Sequence, residues 1–252
     1  MSNKIALITG ASRGLGKSIA QHLARQGVDI IGTYHSKADE ARALVEEIKQ
    51  AGGKAAMVQL DVGDSAGFGD FAAKVKQVLT AEFAREQFDF LVNNAGVASH
   101  VAFAEISEEE FELLFKVHLK GPYFLTQKLL PLIADGGRIV NISSGLARFS
   151  FPGSSAYAVM KGGVEVLTRY LAKELGDRRI SANTIAPGAI ETDFGGGLVR
   201  DTPEINRQIA SATALGRVGL PDDVGAAVAA LLADGNGWIN GQRIEVSGGI
   251  FL

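Results

Sequence analysis

Short apolar runs alternate with amphipathic stretches along nearly the whole chain, and this alternation leaves few architectures open. The runs fall at 4–9 (KIALIT), 28–33 (VDIIGT), 54–60 (KAAMVQL), 88–92 (FDFLV), 138–143 (RIVNIS), 179–186 (RISANTIA) and 243–246 (RIEV). Between them apolar residues recur at helical spacing: Leu15, Ile19 and Leu23 within 15–26, and Ala41, Leu44, Val45 and Ile48 within 38–51. Further helical stretches cover 65–84, 108–134 with an interruption at Gly121-Pro122, 155–176, 203–212 and 221–233. Strands buried on both faces read as continuous apolar runs, and crossover helices cover those faces. The pattern predicts an α/β fold: one doubly wound parallel sheet with helices on both faces, as a single domain over 1–252.

Composition removes several classes of function. The chain is 46% hydrophobic and 21% charged over 252 residues, enough for one large core. A formal net charge of −3 leaves no basic footprint for nucleic acid or an anionic membrane. Cysteine is absent, so disulfides and thiolate metal sites are excluded, which fits a cytoplasmic enzyme. The four histidines, His22, His35, His100 and His118, show no clustered ligand spacing, and no metal site is expected. The amino terminus runs from polar residues straight into a strand pattern, so no signal peptide is expected. No apolar run approaches the ~18 residues that span a bilayer.

In open parallel sheets ligands bind beyond the carboxyl ends of the strands, so the residues after each run are the candidates. After the first comes TGASRGLGKS, 9–18. Its glycines let the backbone approach a phosphate, and the helix that follows points free N–H groups and a positive dipole end at it. That serves a dinucleotide or a triphosphate equally, because 11–18 also reads A-x-x-x-x-G-K-S, one residue from the triphosphate-cradling loop. After the fourth run comes Asn93-Asn94-Ala95-Gly96, either a close cofactor approach or an Asx-type turn. In SSAYAVMKGG, 154–163, Tyr157 and Lys161 stand four apart on one helical face. A cation near a phenol favours the phenolate, so the pair is either a tuned acid/base or an ordinary surface contact. Thirteen residues upstream, Ser144 offers a hydroxyl to a substrate carbonyl, while Ser143 beside it suits a cap or turn.

T-G-x-x-x-G-L-G, N-N-A-G, a serine thirteen residues before Y-x-x-x-K, and P-G at 187–188 occur in one order on one chain. So do R-x-G-x-P-D-D-V at 217–224 and I-N-G-Q-x-I-x-V-x-G-G at 239–249. Over 4–252 the chain strongly resembles the classical short-chain dehydrogenase/reductase family, which implies a Rossmann-type sheet and hydride transfer between a nicotinamide and a carbonyl or alcohol. The triphosphate match is then a decoy. By the resemblance, Gly10, Ser12, Gly14, Leu15 and Gly16 wrap the pyrophosphate and adenosine ribose. Asp61 and Val62 flank adenine. Asn93, Ala95 and Gly96 line the ribose and central cleft, and Pro187, Gly188, Ile190 and Thr192 seat the nicotinamide end. Tyr157 is the proton donor or acceptor, Lys161 binds the nicotinamide ribose and lowers the Tyr157 pKa, and Ser144 polarises the carbonyl. The family's fourth catalytic member is an asparagine where this chain has His118. In that family a freed backbone carbonyl at this place holds a relay water, and Pro122, which lacks an N–H, would free the His118 carbonyl four residues back.

The resembled NAD-users carry Asp where this chain has Tyr34. Arg13 sits inside the glycine loop, and His35, Ser36 and Lys37 follow the second strand. These donors and cations suit a 2′-phosphate, so NADP(H) is expected over NAD(H). Residues 189–212, with Gly195-Gly196-Gly197 beside Phe194 and Leu198, read as a flap over the pocket. Phe149, Phe151 and Phe194 suit either an apolar substrate or core packing. The resemblance also implies a homotetramer built partly from 108–134 and 155–176. Outside this class stands a nucleotide-sensing protein on the same scaffold without turnover, for which Ser144, Tyr157 and Lys161 together would have no use.

Overall fold

A computed structural model describes residues 3–252. The strands are β1 (Ile5–Ile8), β2 (Asp29–Tyr34), β3 (Ala55–Gln59), β4 (Phe88–Asn93), β5 (Ile133–Ile142), β6 (Ser181–Pro187) and β7 (Arg243–Val246). They form one sheet in the order β3-β2-β1-β4-β5-β6-β7, and every neighbouring pair is parallel. The helices are α1 (Gly14–Arg25), α2 (Ala38–Gln50), α3 (Phe68–Phe83), α4 (Glu108–Phe115), α5 (Gly121–Leu129), α6 (Ser155–Glu174), α7 (Leu198–Asp201), α8 (Pro203–Ser211) and α9 (Pro221–Leu232).

β1 shows why the sheet is covered twice. Its four residues are fully buried, yet Ile5 and Leu7 join the core with α3, α5 and α6 while Ala6 and Ile8 join the core with α1, α2 and α9. Side chains alternate across a strand, so a strand with no polar residue must bury both faces. Each buried Leu or Ile contributes about 1.5–3 kcal/mol relative to exposure, and the two layers supply most of the driving force. The helices repeat the expected spacing: Phe68, Phe71, Val75 and Leu79 of α3 enter one core, Ile19, Ala20 and Leu23 of α1 the other.

The stretch expected as a helix over 108–134 is corrected in two places. Residues Lys116–Lys120 form a π turn between α4 and α5, in which the Gly121 N–H bonds the Lys116 carbonyl five residues back. Pro122 has no N–H with which to close a normal α bond onto the His118 carbonyl, so the turn widens ahead of the Gly-Pro pair instead of breaking at it. Gly121 is required there, because a Cβ would lie 2.4 Å from the Val62 carbonyl oxygen. The helix also ends early: Pro131 sits in a short 3₁₀ turn over Leu130–Leu132, and β5 begins at Ile133, paired with Phe88. The polar start of β5, Ala134 to Gly137, hides that strand from an apolar-run reading.

Buried polar groups tie the central strands to the helices. Asn93 Nδ2 donates to Asn141 Oδ1 at 2.8 Å and to Thr126 Oγ1 at 3.1 Å, and Asn141 Nδ2 donates to Thr168 Oγ1 at 2.8 Å. Thr184 Oγ1 donates to the same Thr168 hydroxyl at 2.8 Å. Removing one member strands the others without water. Asn141→Ala is therefore expected to lower the unfolding free energy by about 2–3 kcal/mol in urea denaturation, and a loss under about 0.5 kcal/mol would contradict this ladder.

Candidate active site

The loops leaving β1 to β6 at their carboxyl ends enclose one cavity of about 900 Å³. β1 has β2 on one side and β4 on the other, and β1 and β4 are where strand order reverses. The glycine loop folds back over this point: the Ala11 N–H bonds the Thr33 carbonyl at 2.8 Å and the Gly10 N–H bonds Thr33 Oγ1 at 3.1 Å. Gly10 (φ +66°) takes a left-handed conformation open to glycine, within contact distance of Ala95. α1 starts at Gly14 with no side-chain cap and no acidic residue in its first turn. Its uncapped N–H groups and dipole end suit an anion, and Gly10, Ser12, Arg13, Gly14 and Leu15 all line the cavity. An anionic pyrophosphate therefore fits the residues present.

At one end of the cavity Tyr34 of β2 and His35, Ser36 and Lys37 after it lie with Asp61 and Val62 from the loop after β3. His35 Nε2 lies 3.7 Å from Asp61 Oδ2, and Asp61 Oδ1 accepts the Gly63 N–H at 2.8 Å. Lys37 reaches Glu40 at 4.0 Å. The Arg13 guanidinium pairs with the Asp193 carboxylate, linking the glycine loop to the segment after β6.

At the other end Ser144, Tyr157, Lys161 and His118 converge, with Gly96, Pro187, Gly188, Ile190 and Thr192 around them. Lys161 is 5% exposed and its Nζ donates to the Ile142 carbonyl at 2.8 Å, 5.4 Å from the centre of the Tyr157 ring. Burial pulls the Lys161 ammonium down to about 7 and pushes the Tyr157 phenol above its ordinary range. Burial alone sets the direction for the phenol, and the Lys161 cation 5.4 Å from the ring does not offset it. Ser144 Oγ accepts the Leu146 N–H at 3.2 Å.

His118 is buried, with its ring edge-on to Tyr157 at 5.0 Å between centroids. Nε2 faces the Val97 backbone, 2.7 Å from its carbonyl oxygen and 3.2 Å from its amide nitrogen, while buried Nδ1 has no hydrogen-bond partner. Burial, then the charge of Lys161, lowers its pKa to about 3. The imidazole is therefore neutral through the working pH range and does not titrate there.

Two expected cofactor residues lie outside the cavity. The Asn93 side chain points into the β4–β5 polar ladder, and its neighbour Asn94 lines the cavity instead. Asn94 was the missed residue. Its amide donates to the carbonyls of Thr9 and Gly10 at 2.9 and 3.1 Å, clamping the two loops together. Strand alternation was the available signal, since adjacent residues leaving β4 point opposite ways. Gly16 serves packing: a Cβ there would stand 2.1 Å from the Gly10 carbonyl oxygen. The triphosphate reading fails on geometry. Lys17 Nζ is bound to Glu47 at 2.7 Å and Ser18 Oγ to Asp222 at 2.7 Å, both away from the cavity. Phe194 lines the cavity, whereas Phe149 packs on Phe251 and Phe151 on His100. Among the described residues there is no cluster of three metal-ligating side chains and no helix long and apolar enough to cross a membrane.

A family model described as enoyl-(acyl carrier protein) reductase matches residues 10–250. The promiscuous reductase LugOII, which catalyses keto-reduction at C1 in lugdunomycin biosynthesis, is 36% identical, with TM-score 0.94, over 100% of this chain and 99% of its own. The angucycline C-6 ketoreductase LanV, solved with bound NADP, is 35% identical with TM-score 0.93 over 99% and 96%. Versicolorin reductase stcU of Emericella nidulans is 33% identical over 100% of this chain and 97% of its own. The chain belongs to the short-chain dehydrogenase/reductase family and is an oxidoreductase of that family.

A neutral, buried His118 has a thermodynamic signature. The unfolded chain takes up the imidazole proton near 6.5, whereas the folded protein does so only near 3. Stability from this group is complete above about pH 6.5 and is lost as pH falls, at up to ~1.4 kcal/mol per pH unit. His118→Asn should therefore give a shallower loss between about pH 6.5 and 4.5 in urea denaturation, since the replacement amide takes up no proton there. Equal slopes would show that the imidazole charges within the fold.

Proposed function

We propose that this chain is a ketoreductase that prefers NADP(H) over NAD(H) and reduces cyclic, largely apolar ketones, with Tyr157 as the acid/base. The observation that carries this reading is the single cavity that joins the uncapped start of α1 to Ser144, Tyr157 and Lys161. Gly10, Ser12, Gly14 and Leu15 would hold the pyrophosphate, Asp61 and Val62 the adenine, Ala95 and Gly96 the ribose, and Pro187, Gly188, Ile190 and Thr192 the nicotinamide end. When bound, the cofactor supplies the hydride. Tyr157 gives its phenol proton to the carbonyl oxygen, and Ser144 donates a hydrogen bond to that same oxygen. Lys161 stabilises the phenolate left behind. The break at Lys116–Lys120 supports a relay to solvent through the His118 backbone, and in that case His118→Asn keeps its rate within about 10-fold.

The substrate class follows from the walls. Val97, Ala98, Leu113, Leu146, Phe194 and Leu198 make the substrate end apolar. Relatives named for angucycline, versicolorin and hydroxynaphthalene reduction support a fused-ring ketone. Residues 189–212 act as a flap, supported by left-handed Gly195, Gly196 and Gly197. A homotetramer is supported by exposed Phe111, Phe115, Tyr123 and Phe124 between 108 and 134 and by exposed Val159, Val166 and Tyr170 on α6; sedimentation as a monomer at micromolar concentration overturns the tetramer.

Tyr157→Phe keeps the ring and removes the proton. With 2-tetralone and NADPH, followed at the reduced-nicotinamide absorbance band, turnover should fall at least ~10²-fold while NADPH still binds. Near-full activity would overturn the acid/base role, and a wild-type protein that binds NADPH without turning over any ketone would favour the sensor. Preference for the 2′-phosphate is placed on Arg13, with His35, Ser36 and Lys37 at the same end. Arg13→Ala should weaken NADPH binding by at least ~10-fold and NADH binding by less than ~3-fold. Comparable wild-type kcat/KM for the two cofactors would contradict the preference.

A further inference from the structure

Behind the reacting wall runs a chain of charges that the proton transfer leaves unused. β7 places Arg243 and Glu245 two residues apart on one face of the edge strand. Arg243 Nε donates to Glu165 Oε1 of α6 at 2.7 Å, and Arg243 Nη1 donates to Glu245 Oε2 at 3.2 Å. Glu245 also accepts Arg148 Nε and Nη2 at 2.9 and 3.0 Å. Arg148 spends its remaining donors on the carbonyls of Ile250 and Phe251, at 3.0 and 3.2 Å. From Glu165 to Arg148 the charges alternate in sign. The side chains of Glu165, Arg243 and Glu245 are 14%, 23% and 23% exposed, so solvent screens them less than a surface pair.

This ladder ends on the two serines. Glu165 Oε1 accepts the Ser143 hydroxyl at 2.7 Å, and Arg243 Nη2 donates to the Ser144 backbone carbonyl at 3.3 Å. Arg148 closes the short 3₁₀ turn Gly145–Ala147 that follows Ser144. The segment 143–148 is thus gripped at its start by Glu165 and Arg243 and at its end by Glu245. Taking four charges partly out of water costs desolvation and side-chain entropy, and apolar packing would hold a loop more cheaply. What an ionic ladder adds is direction: a planar guanidinium with three fixed acceptors leaves the Ser144 backbone one position. We propose that Arg243 is a positioning residue, which through the Glu165–Arg243–Glu245–Arg148 ladder fixes the Ser144 hydroxyl toward the substrate carbonyl. The inference rests on the reading of Ser144 as the group that orients that carbonyl.

The test is a double-mutant cycle of Arg243→Met with Ser144→Ala, using 2-tetralone and NADPH. Arg243→Met keeps the side-chain volume and should lower kcat about 10-fold or more, with NADPH affinity by nicotinamide fluorescence within about 2-fold of wild type. In the Ser144→Ala background the same change should cost less than about 2-fold, because the hydroxyl it positions is gone. A merely structural arginine would cost the same in both backgrounds, and that result, or an Arg243→Met enzyme as fast as wild type, overturns the inference alone. A Ser144→Ala enzyme as fast as wild type overturns the role of Ser144 and the inference together. If Arg243→Met does not fold, Arg243→Lys keeps the charge, loses the fork geometry, and should show the same non-additivity with a smaller loss.

Discussion

Across the junction of β1 and β4, the Asn94 side chain donates to the carbonyls of Thr9 and Gly10 while Thr9 Oγ1 accepts the N–H groups of Asn94 and Ala95, at 2.9–3.1 Å. These four bonds hold two loops that the sheet would otherwise let splay. Gly16 completes the contact, because any side chain there would collide with the Gly10 carbonyl and push α1 away. With α1 so placed, its uncapped start opens into the crevice, and the loops after β5 and β6 complete the far wall. The rest of the site inherits its position from this junction.

Desolvation, more than charge pairing, sets the protonation of the reacting wall. Tyr157, Lys161 and His118 each sit where burial disfavours the ionised form, and each shifts in that direction. The phenol holds its proton, the ammonium titrates near neutrality against a single backbone carbonyl, and the imidazole stays neutral. The Arg13–Asp193 pair ties the glycine loop to the segment after β6, and both residues line the cavity.

Much of this was legible in the sequence. Each of the seven strands fell within or overlapped its apolar run, because a strand buried on both faces is mostly apolar and admits only polar residues that find partners inside, such as Asn141 and Thr184. The grouping of Ser144, Tyr157 and Lys161 was legible because four-residue spacing fixes one helical face. Where reading failed, the deciding term was tertiary. Asn93 and Asn94 look alike in sequence, and only the alternation at the end of β4 sends one into the core and the other into the crevice. The interruption of 108–134 was legible from Gly121-Pro122, but its place at Lys116–Lys120 and the close approach of Gly121 to the Val62 carbonyl were not. The triphosphate-like match at 11–18 was already a decoy by the company of the other motifs, and Glu47 and Asp222 hold Lys17 and Ser18 outside the cavity. The Arg243 ladder draws on four separate segments and had no signature at all.

In the proposed reaction one crevice would bring a nicotinamide and a ketone carbonyl together for direct hydride transfer. The most direct measurement uses NADPH carrying deuterium at both nicotinamide C4 positions, a cyclic aromatic ketone such as 2-tetralone, and mass spectrometry of the alcohol formed. The account predicts a single deuterium retained on the former carbonyl carbon of the product. Alcohol formed without deuterium at that carbon, or deuterium washed out to solvent, would contradict it.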